Sequence, residues 1–195
     1  MPERDTDEHL LQRAGAGDEV AFQQVYERHR NAVFRFAYRL SGNIETAEDL
    51  THDCFLGLIK RVGGFDSRRA SLRTYLFGTT RNLWLKQLRT LDRERALEEF
   101  DENEFVVVGH APLRRILDNE LSMLVAEAVA ALPVLQREAL VLFEYEGISL
   151  NEIASVVNSD VGTVKSRLRR AREGLRKSLQ PYLNTSREIV TLEKA

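Results

Sequence analysis

Apolar residues recur at helical spacing along most of the chain. After Asp18, a residue type favoured at helix starts, they fall at Phe22, Val25, Tyr26, Val33, Phe36, Ala37 and Leu40. This stripe predicts an amphipathic helix that ends at Ser41-Gly42. Similar patterns predict helices over residues 43–62, 71–91, 113–132, 134–146, 149–158 and 160–179. No segment alternates polar and apolar residues over a useful length, so the predicted fold class is all-α.

The helices fall into two groups. Residues 92–120 are acidic, lack clean periodicity and contain Gly109 and Pro112. They predict a linker between an N-terminal domain, residues 1–91, and a C-terminal domain, residues 121–180. Pro181 interrupts the helical pattern, so residues 181–195 are predicted to be a tail. The expected architecture is two small helical domains joined by an acidic linker.

The C-terminal domain carries the most specific local pattern. Ser149 followed three residues later by Glu152 has the form of a capping box. A short helix, the turn Asn158-Ser159-Asp160 and a second helix with a basic outer face then follow. This order is typical of a helix-turn-helix, whose second helix enters the major groove of DNA. The alternative is a plain helical hairpin with a solvated basic face.

The charge distribution strengthens the DNA-binding interpretation. The 195 residues have a formal net charge of −2, which by itself argues against a polyanionic partner. Residues 60–89, however, hold eight basic residues against Asp66 alone, and residues 161–177 hold seven against Glu173 alone. Two basic segments of this kind, at +7 and +6, are typical of nucleic-acid binding.

Two further helix faces of the N-terminal domain suggest contacts. On the second helix, Leu56 stands on an otherwise charged face, which is typical of a protein-contact patch with a polar rim. On the third helix, basic residues lie opposite an apolar side, downstream of a loop that combines arginines with Phe65. Basic residues interleaved with aromatic ones suit unpaired nucleic-acid strands.

Other function classes lack support in the sequence. The single cysteine, Cys54, cannot form an internal disulfide, and no Cys/His cluster has the spacing of a metal site. No nucleophile–base constellation or glycine-rich phosphate loop indicates an enzyme, and no cofactor is expected. No apolar run reaches the length of a membrane span, so a cytoplasmic protein without membrane contact of its own is expected.

Four ordered blocks of the chain resemble bacterial RNA polymerase sigma factors of the extracytoplasmic-function (ECF) group. The blocks are AFQQVYERHRNAVFRFAYRLSG, AEDLTHDCFLGLIKRVGGFD, SLRTYLFGTTRNLWLKQLR and LPVLQREALVLFEYEGISLNEIASVVNSDVGTVKSRLRRARE. The resemblance implies a factor that binds core RNA polymerase and directs promoter-specific transcription initiation. Such a factor recognises two promoter elements and helps to melt the DNA, while the polymerase does the chemistry. The family also implies an anti-sigma factor as a partner.

The resemblance assigns residues to three contact surfaces. The core-polymerase surface comprises Asp49, Leu50, His52, Asp53, Leu56 and Lys60. The minus-ten DNA surface comprises Arg68, Arg73, Tyr75, Arg81, Asn82, Lys86 and Arg89. The minus-thirty-five DNA surface comprises Thr163, Lys165, Ser166, Arg169, Arg170 and Arg172. The family usually has Gln-Glu where this chain has His52-Asp53, and often a Trp at the position of Tyr75.

One alternative shares the C-terminal pattern. A helix-turn-helix transcriptional regulator that is not a polymerase subunit would carry a sensor or dimerisation domain in front of it. Such a domain has no need of a basic, aromatic strand-binding surface, and stoichiometric association with core polymerase would separate the two functions.

Overall fold

The computed structural model describes residues 5–61, 64–95 and 120–192 of the chain. Within these ranges the chain is helical and contains no strand, which confirms the predicted all-α class. The N-terminal domain contains α1 (Asp7–Gly15), α2 (Glu19–Ser41), α3 (Ile44–Lys60) and α4 (Leu72–Arg95). The C-terminal domain contains α5 (Glu120–Ala130), α6 (Val134–Leu140), α7 (Leu150–Val156) and α8 (Val161–Leu192). Helix α6 continues as a π-helical segment, Val141–Tyr145.

The helix ends follow from local capping chemistry. The Asp18 carboxylate accepts a hydrogen bond from the Ala21 N–H at 3.0 Å, as the sequence predicted for the start of α2. Gly42 ends that helix with φ of +69°, a left-handed conformation that glycine adopts without steric cost. Both hydrogen bonds of the predicted capping box at Ser149 and Glu152 are formed.

The structure corrects the sequence prediction at both ends of the chain. Helix α1 was not predicted, because its apolar side is short. Leu10 and Leu11 are nevertheless buried, and Asp7 joins α1 to α2 through His29 (2.9 Å) and Arg28 (2.5 Å). At the other end, α8 does not stop before Pro181 but runs to Leu192.

The continuation of α8 through a proline has a physical explanation. Proline lacks the N–H that would bond the carbonyl four residues earlier, which belongs to Lys177. Lys177 and its neighbours are exposed, so water can donate a hydrogen bond to that carbonyl. On an exposed side the helix can also bend away from the proline ring. Helix α4 likewise extends to Arg95, into the segment predicted to be the linker. The rest of that segment, residues 96–119, lies outside the described residues.

The buried apolar residues form two clusters, and one of them crosses between the domains. The first cluster joins α1 to α4 around Val25, Cys54 and Leu76. The second cluster starts on α2 and α4 with Phe36, Leu40, Phe77, Trp84 and Leu88. It continues into the C-terminal domain with Leu132, Leu142, Ile153 and Val164. The two domains are therefore packed directly against each other through a shared apolar interface.

Candidate nucleic-acid interface

Helix α3 presents one exposed face with apolar residues at its centre. Asp49, His52, Asp53 and Lys60 are exposed there, as the sequence predicted. Leu56 is 36% exposed, and Ile59, which sequence reasoning did not single out, is 49% exposed. Residues three apart on a helix are neighbours, so spacing from Leu56 could have identified Ile59.

The structure removes Leu50 from this exposed face. Its side chain is 2% exposed and belongs to the shared apolar cluster. Leu50 follows Ala47 and precedes Cys54 on the apolar stripe of α3, so it packs inward together with them. The Leu50 side chain therefore supports α3 from the inside and does not belong to its exposed face.

The loop before α4 carries arginines and an aromatic ring that packs against α4. The rings of Phe65 and Tyr75 meet edge to face, with centroids 5.6 Å apart. The exposed guanidinium of Arg68 donates to both carboxylate oxygens of Asp66, at 3.0 and 3.2 Å. These hydrogen bonds, together with one from the Arg68 backbone N–H, lower the pKa of Asp66. The loop thus carries two exposed arginines, Arg68 and Arg69, and its Phe65 packs against Tyr75 of α4.

The predicted DNA contacts on helix α4 are partly exposed and partly buried. Asn82, Lys86 and Arg89 are exposed, as expected. Arg81 was predicted on the same side but is only 8% exposed. It is covered by α6, where Glu138 accepts hydrogen bonds from its Nε at 2.7 Å and its Nη2 at 3.2 Å. Helical periodicity could not reveal this, because the covering carboxylate lies 57 residues away in sequence.

Arg73, at the start of α4, is also engaged by the C-terminal domain. Its Nη2 lies 2.5 Å from Oε2 of Glu146, a carboxylate that is 2% exposed. Nη1 of Arg39 lies 3.5 Å from the other oxygen of the same carboxylate. Next to this group, the Thr74 hydroxyl donates to Glu152 at 3.3 Å. A second polar cluster therefore ties the N-terminal domain to the C-terminal domain.

The helix-turn-helix forms as the sequence predicted. Between α7 and α8 the chain turns at Asn158, whose φ of +50° lies in the left-handed region that asparagine tolerates. Asp160 then caps α8 by accepting from the backbone N–H of Thr163 at 2.8 Å and from its hydroxyl at 2.6 Å. Those two hydrogen bonds lower the pKa of Asp160.

The outer face of α8 carries most of the predicted contacts. Val164, Leu168 and Ala171 are buried on the inner side, while Lys165, Arg169, Arg170 and Arg172 are exposed on the other. Two of these arginines have carboxylate partners: Arg169 pairs with Glu173 at 2.9 Å, and Arg172 pairs with Glu144 at 2.6 Å. These pairs are exposed and therefore easily exchanged for phosphate. Thr163 and Ser166 are partly buried, and the Ser166 hydroxyl donates to the Thr163 carbonyl.

Sequence reasoning missed a buried arginine at the domain interface. Arg137 is fully buried and donates to the carbonyls of Leu40 (2.7 Å), Leu132 (2.9 Å) and Ala130. Burial lowers its pKa to about 10. Leu40 belongs to α2 and the other two acceptors to α5 and the turn after it. One guanidinium thus satisfies carbonyls from both domains.

The described ranges hold neither a membrane-spanning helix nor a metal site. No helix there is both long and apolar enough to cross a membrane. No group of three or more His, Cys, Asp or Glu side chains could hold a metal ion in this part of the chain.

Comparison with known proteins identifies the two domains. Residues 25–94 match the family model described as Sigma-70 region 2, and residues 122–175 match that described as Sigma-70, region 4. The first of these matches does not favour a helix-turn-helix regulator with an unrelated sensor domain.

Relatives and solved structures agree with these matches. The ECF RNA polymerase sigma factor SigW of Bacillus subtilis is 31% identical over 172 residues, covering 84% of this chain and 91% of the relative. The RNA polymerase sigma-H factor of Pseudomonas aeruginosa is 31% identical, covering 94% and 98%. The sigma factor RpoE of Bartonella quintana, solved in complex with the anti-sigma factor NepR, gives a TM-score of 0.65 at 28% identity. That alignment covers 82% of this chain and 96% of RpoE. The chain belongs to the ECF RNA polymerase sigma factors of the sigma-70 family, and it is a transcription initiation factor rather than an enzyme.

Proposed function

We propose that this sigma factor binds core RNA polymerase and directs it to promoters through three separate surfaces. The observation that carries the proposal is the α7–turn–α8 unit. Its inner side is buried at Val164 and Leu168, while Lys165, Arg169 and Arg170 project from its outer side. This is the geometry with which a helix enters the major groove and meets base edges and phosphates.

The minus-thirty-five surface divides into two kinds of contact. Arg169, Arg170, Lys165 and Arg172 supply cations for guanine edges and phosphates. Thr163 and Ser166 lie nearer the helix start, where a DNA phosphate competes with Asp160 for the Thr163 hydroxyl and with the Thr163 carbonyl for the Ser166 hydroxyl. The N-terminal end of α8 therefore contacts DNA most closely.

The minus-ten surface consists of the loop before α4 and the outer side of that helix. Arg68, Asn82, Lys86 and Arg89 contact the DNA backbone and base edges, and Tyr75 offers a ring to an unpaired base. Arg73 and Arg81 complete the surface, although each is paired with a C-terminal carboxylate in the structure.

The core-polymerase surface is the exposed face of α3. Leu56 and Ile59 form its apolar centre, surrounded by Asp49, Asp53 and Lys60, with His52 alongside. An apolar centre with a polar rim is the usual composition of a protein–protein contact.

The proposed organisation places the N-terminal domain at residues 1–91, the acidic linker at 92–120 and the C-terminal domain from residue 121. Residues 181–195, predicted to be a tail, instead begin as a continuation of α8. The chain acts in the cytoplasm, where core polymerase and promoter DNA are found, and an anti-sigma factor restrains it. The name of the Bartonella quintana complex supports the last of these assignments.

Run-off transcription with reconstituted holoenzyme tests the minus-thirty-five surface. Arg169→Glu combined with Arg170→Glu should lower promoter-specific transcription by more than about 30-fold, because each lost arginine contact costs about 1–3 kcal/mol. Binding to core polymerase should stay unchanged. The control, Arg176→Glu with Lys177→Glu, makes the same charge change two turns further along α8 and should keep most of the transcription. Full transcription by the first variant contradicts the proposal.

A second experiment tests the core-polymerase surface. Leu56→Asp places a charge at the apolar centre of α3 and should abolish co-purification with core polymerase. The control, Val20→Asp, changes another exposed apolar residue, 61% exposed on α2, and should leave the complex intact. Undiminished binding by the Leu56 variant excludes this face as the docking site.

A further inference from the structure

The helix that precedes the helix-turn-helix widens where it faces α8. In its π-helical segment, Val141–Tyr145, the Glu146 N–H donates to the Val141 carbonyl at 3.1 Å. That hydrogen bond spans five residues instead of four, and single turns of this kind are frequent at functional sites. Phe143 and Glu144 of this turn both contact α8. The widened turn therefore places an aromatic ring and a carboxylate beside the minus-thirty-five surface.

The ring and the carboxylate hold the same arginine of α8. Oε1 of Glu144 accepts hydrogen bonds from Nε and Nη2 of Arg172 at 3.0 and 2.6 Å. The guanidinium carbon of Arg172 lies 5.5 Å from the centroid of the Phe143 ring, which is a cation–π contact. Arg169, by contrast, donates one hydrogen bond, at 2.9 Å, to Glu173 of its own helix. The Arg172 guanidinium is therefore fixed both on one edge and on one face by a second element of the domain.

The contact with Glu144 leaves the other edge of this guanidinium for a ligand. The N–H groups of Nε and Nη2 form the side edge of the group, and those of Nη1 and Nη2 form its end edge. Two parallel donors on one edge match two oxygens of a phosphate. The Arg172 side chain is 54% exposed, so a phosphate can reach the end edge. Arg172 can therefore bind a phosphate without releasing Glu144.

A groove of about 470 Å³ lies beside the Arg172 guanidinium. Its lining includes the apolar side chains of Phe143, Leu150 and Leu168. It also includes Lys165, which lies two helical turns before Arg172 on the same side of α8. A deoxyribose can pack on apolar side chains while the phosphates that flank it meet cations. The groove thus has the chemistry of a site for the DNA backbone rather than for base edges.

We propose that this groove binds the sugar–phosphate backbone of minus-thirty-five DNA, with Arg172 on one phosphate and with Glu144 and Phe143 as positioning residues. This assignment depends on the proposed function, because it assumes that α8 enters the major groove. An arginine that is already oriented loses less side-chain freedom on binding than a free one. That saving outweighs the repulsion between Glu144 and the phosphate, because the carboxylate is 43% exposed and solvent screens its charge.

Two substitutions of Glu144 separate its positioning role from its charge. The measurement is binding of reconstituted holoenzyme, at one fixed salt concentration, to a fluorescein-labelled promoter fragment that supports run-off transcription by the original holoenzyme. Glu144→Gln keeps an oxygen that can accept from Arg172 and removes the negative charge, so its affinity should be unchanged or raised by up to about threefold. Glu144→Ala removes the acceptor and should weaken binding by about threefold to tenfold, because a long side chain must then be immobilised on binding.

The opposite ordering of affinities would show that Glu144 competes with DNA. If a phosphate displaced Glu144 from Arg172, both substitutions would strengthen binding. Equal affinity of the two variants, or tighter binding by Glu144→Ala than by the original chain, therefore contradicts the proposal.

The matched control is Glu173→Ala. Glu173 also lines the groove and also binds an arginine, but that arginine belongs to its own helix. The control removes the same charge without releasing a side chain that another element holds, so it should not weaken binding. A loss as large as that of Glu144→Ala contradicts the proposal.

A double-mutant cycle tests whether Glu144 acts through Arg172. In a chain that already carries Arg172→Ala, the further change Glu144→Ala should alter the affinity by less than about twofold, because the side chain that Glu144 positions is gone. An undiminished loss in that chain overturns the positioning role.

Phosphate ethylation interference measures the proposed contact itself. Ethylation of the phosphate bound by Arg172 should weaken binding of the original holoenzyme and of the Glu144→Gln variant. It should have no further effect on Arg172→Ala, because that contact is already missing. An interference pattern that Arg172→Ala leaves unchanged shows that Arg172 binds no phosphate and overturns the proposal.

The double variant Arg169→Glu with Arg170→Glu separates a failure of this proposal from a failure of the proposed function. If it loses promoter-specific transcription while the Glu144 and Arg172 variants bind the promoter like the original chain, only the backbone site is refuted. If it transcribes fully, α8 is not the recognition helix, and the proposed function and the backbone site are both wrong.

Discussion

The stability of the domain interface should depend strongly on one buried arginine. Arg137 is fully buried and donates to carbonyls of Leu40, Ala130 and Leu132. Arg137→Met keeps a long flexible side chain of similar volume but shorter reach, and it removes these three hydrogen bonds. It is therefore a direct test of whether these contacts, rather than the packing of the side chain, hold the turn before α6 against α2.

The expected loss follows from two opposing effects. Three buried carbonyls lose their donor, and each unsatisfied group costs about 2 kcal/mol, or about 6 kcal/mol together. Methionine also removes a buried charge. Burial lowers the pKa of Arg137 from its ordinary value to about 10. That difference corresponds to about 3 kcal/mol of cost in holding the cation. The net effect is a fall of about 3 kcal/mol in the free energy of unfolding, a large part of the 5–15 kcal/mol typical of a domain.

Urea unfolding followed by tryptophan fluorescence measures this change. Trp84 is the single tryptophan of the chain, and it is 4% exposed in the apolar cluster that both domains share. Its emission therefore reports on the interface itself. Arg176→Met makes the same substitution at an exposed position and should change the free energy of unfolding by less than about 0.5 kcal/mol. A loss below about 1 kcal/mol at Arg137 would refute the argument that its hydrogen bonds outweigh its burial cost.

Three further predictions concern the buried thiol of Cys54, the carboxylate of Asp7 and the cap of α7. Burial raises the pKa of Cys54 to about 11, so a thiol reagent near pH 8 should modify the folded chain only as fast as the chain unfolds. Asp7 has a lowered pKa, chiefly through its hydrogen bond with His29, so its contribution to stability is present above its ordinary value of 3.8. That contribution is lost as the pH falls through the lower folded value, and Asp7→Asn should show a smaller loss of stability between about pH 5 and pH 2 in the same urea assay. Ser149→Ala should lower the free energy of unfolding by about 1 kcal/mol, because it removes the cap of α7, whereas Ser149→Thr, which keeps the hydroxyl that donates to Glu152, should retain most of it.

Local chemistry in the sequence predicts much of this fold. Asp18, Ser149 and Glu152 cap helices where their side-chain types and spacing indicated, because a cap depends on residues within one helical turn. The apolar stripe of α8 likewise predicts its buried side, since periodicity reports which face of a helix is covered. Prediction was wrong at Pro181, where exposure to solvent makes the missing hydrogen bond tolerable, and at α1, whose apolar stripe is too short to stand out.

Helix caps and helical periodicity cannot predict the contacts between the domains. The sequence places Arg81 with Asn82 and Lys86 on a basic face, and nothing within that helix indicates that a glutamate 57 residues away covers it. Glu138 itself appears in a mostly apolar helix, where a single carboxylate is commonly solvent-exposed. Only the packing of α4 against α6 shows that the two charges are partners.

The ion pairs between the domains change how strongly the basic segments of the chain can attract DNA. The basic segment of residues 60–89 has a net charge of +7, but two of its arginines, Arg73 and Arg81, face carboxylates of the C-terminal domain. In this structure the segment therefore attracts phosphates less strongly than its sequence suggests. Because a Coulomb contact at hydrogen-bond distance is strongest where water is excluded, the two buried glutamates reduce that attraction more than the same number of exposed acidic residues would. The electrostatic attraction of this chain for DNA therefore depends on which of its cations are paired as well as on its composition.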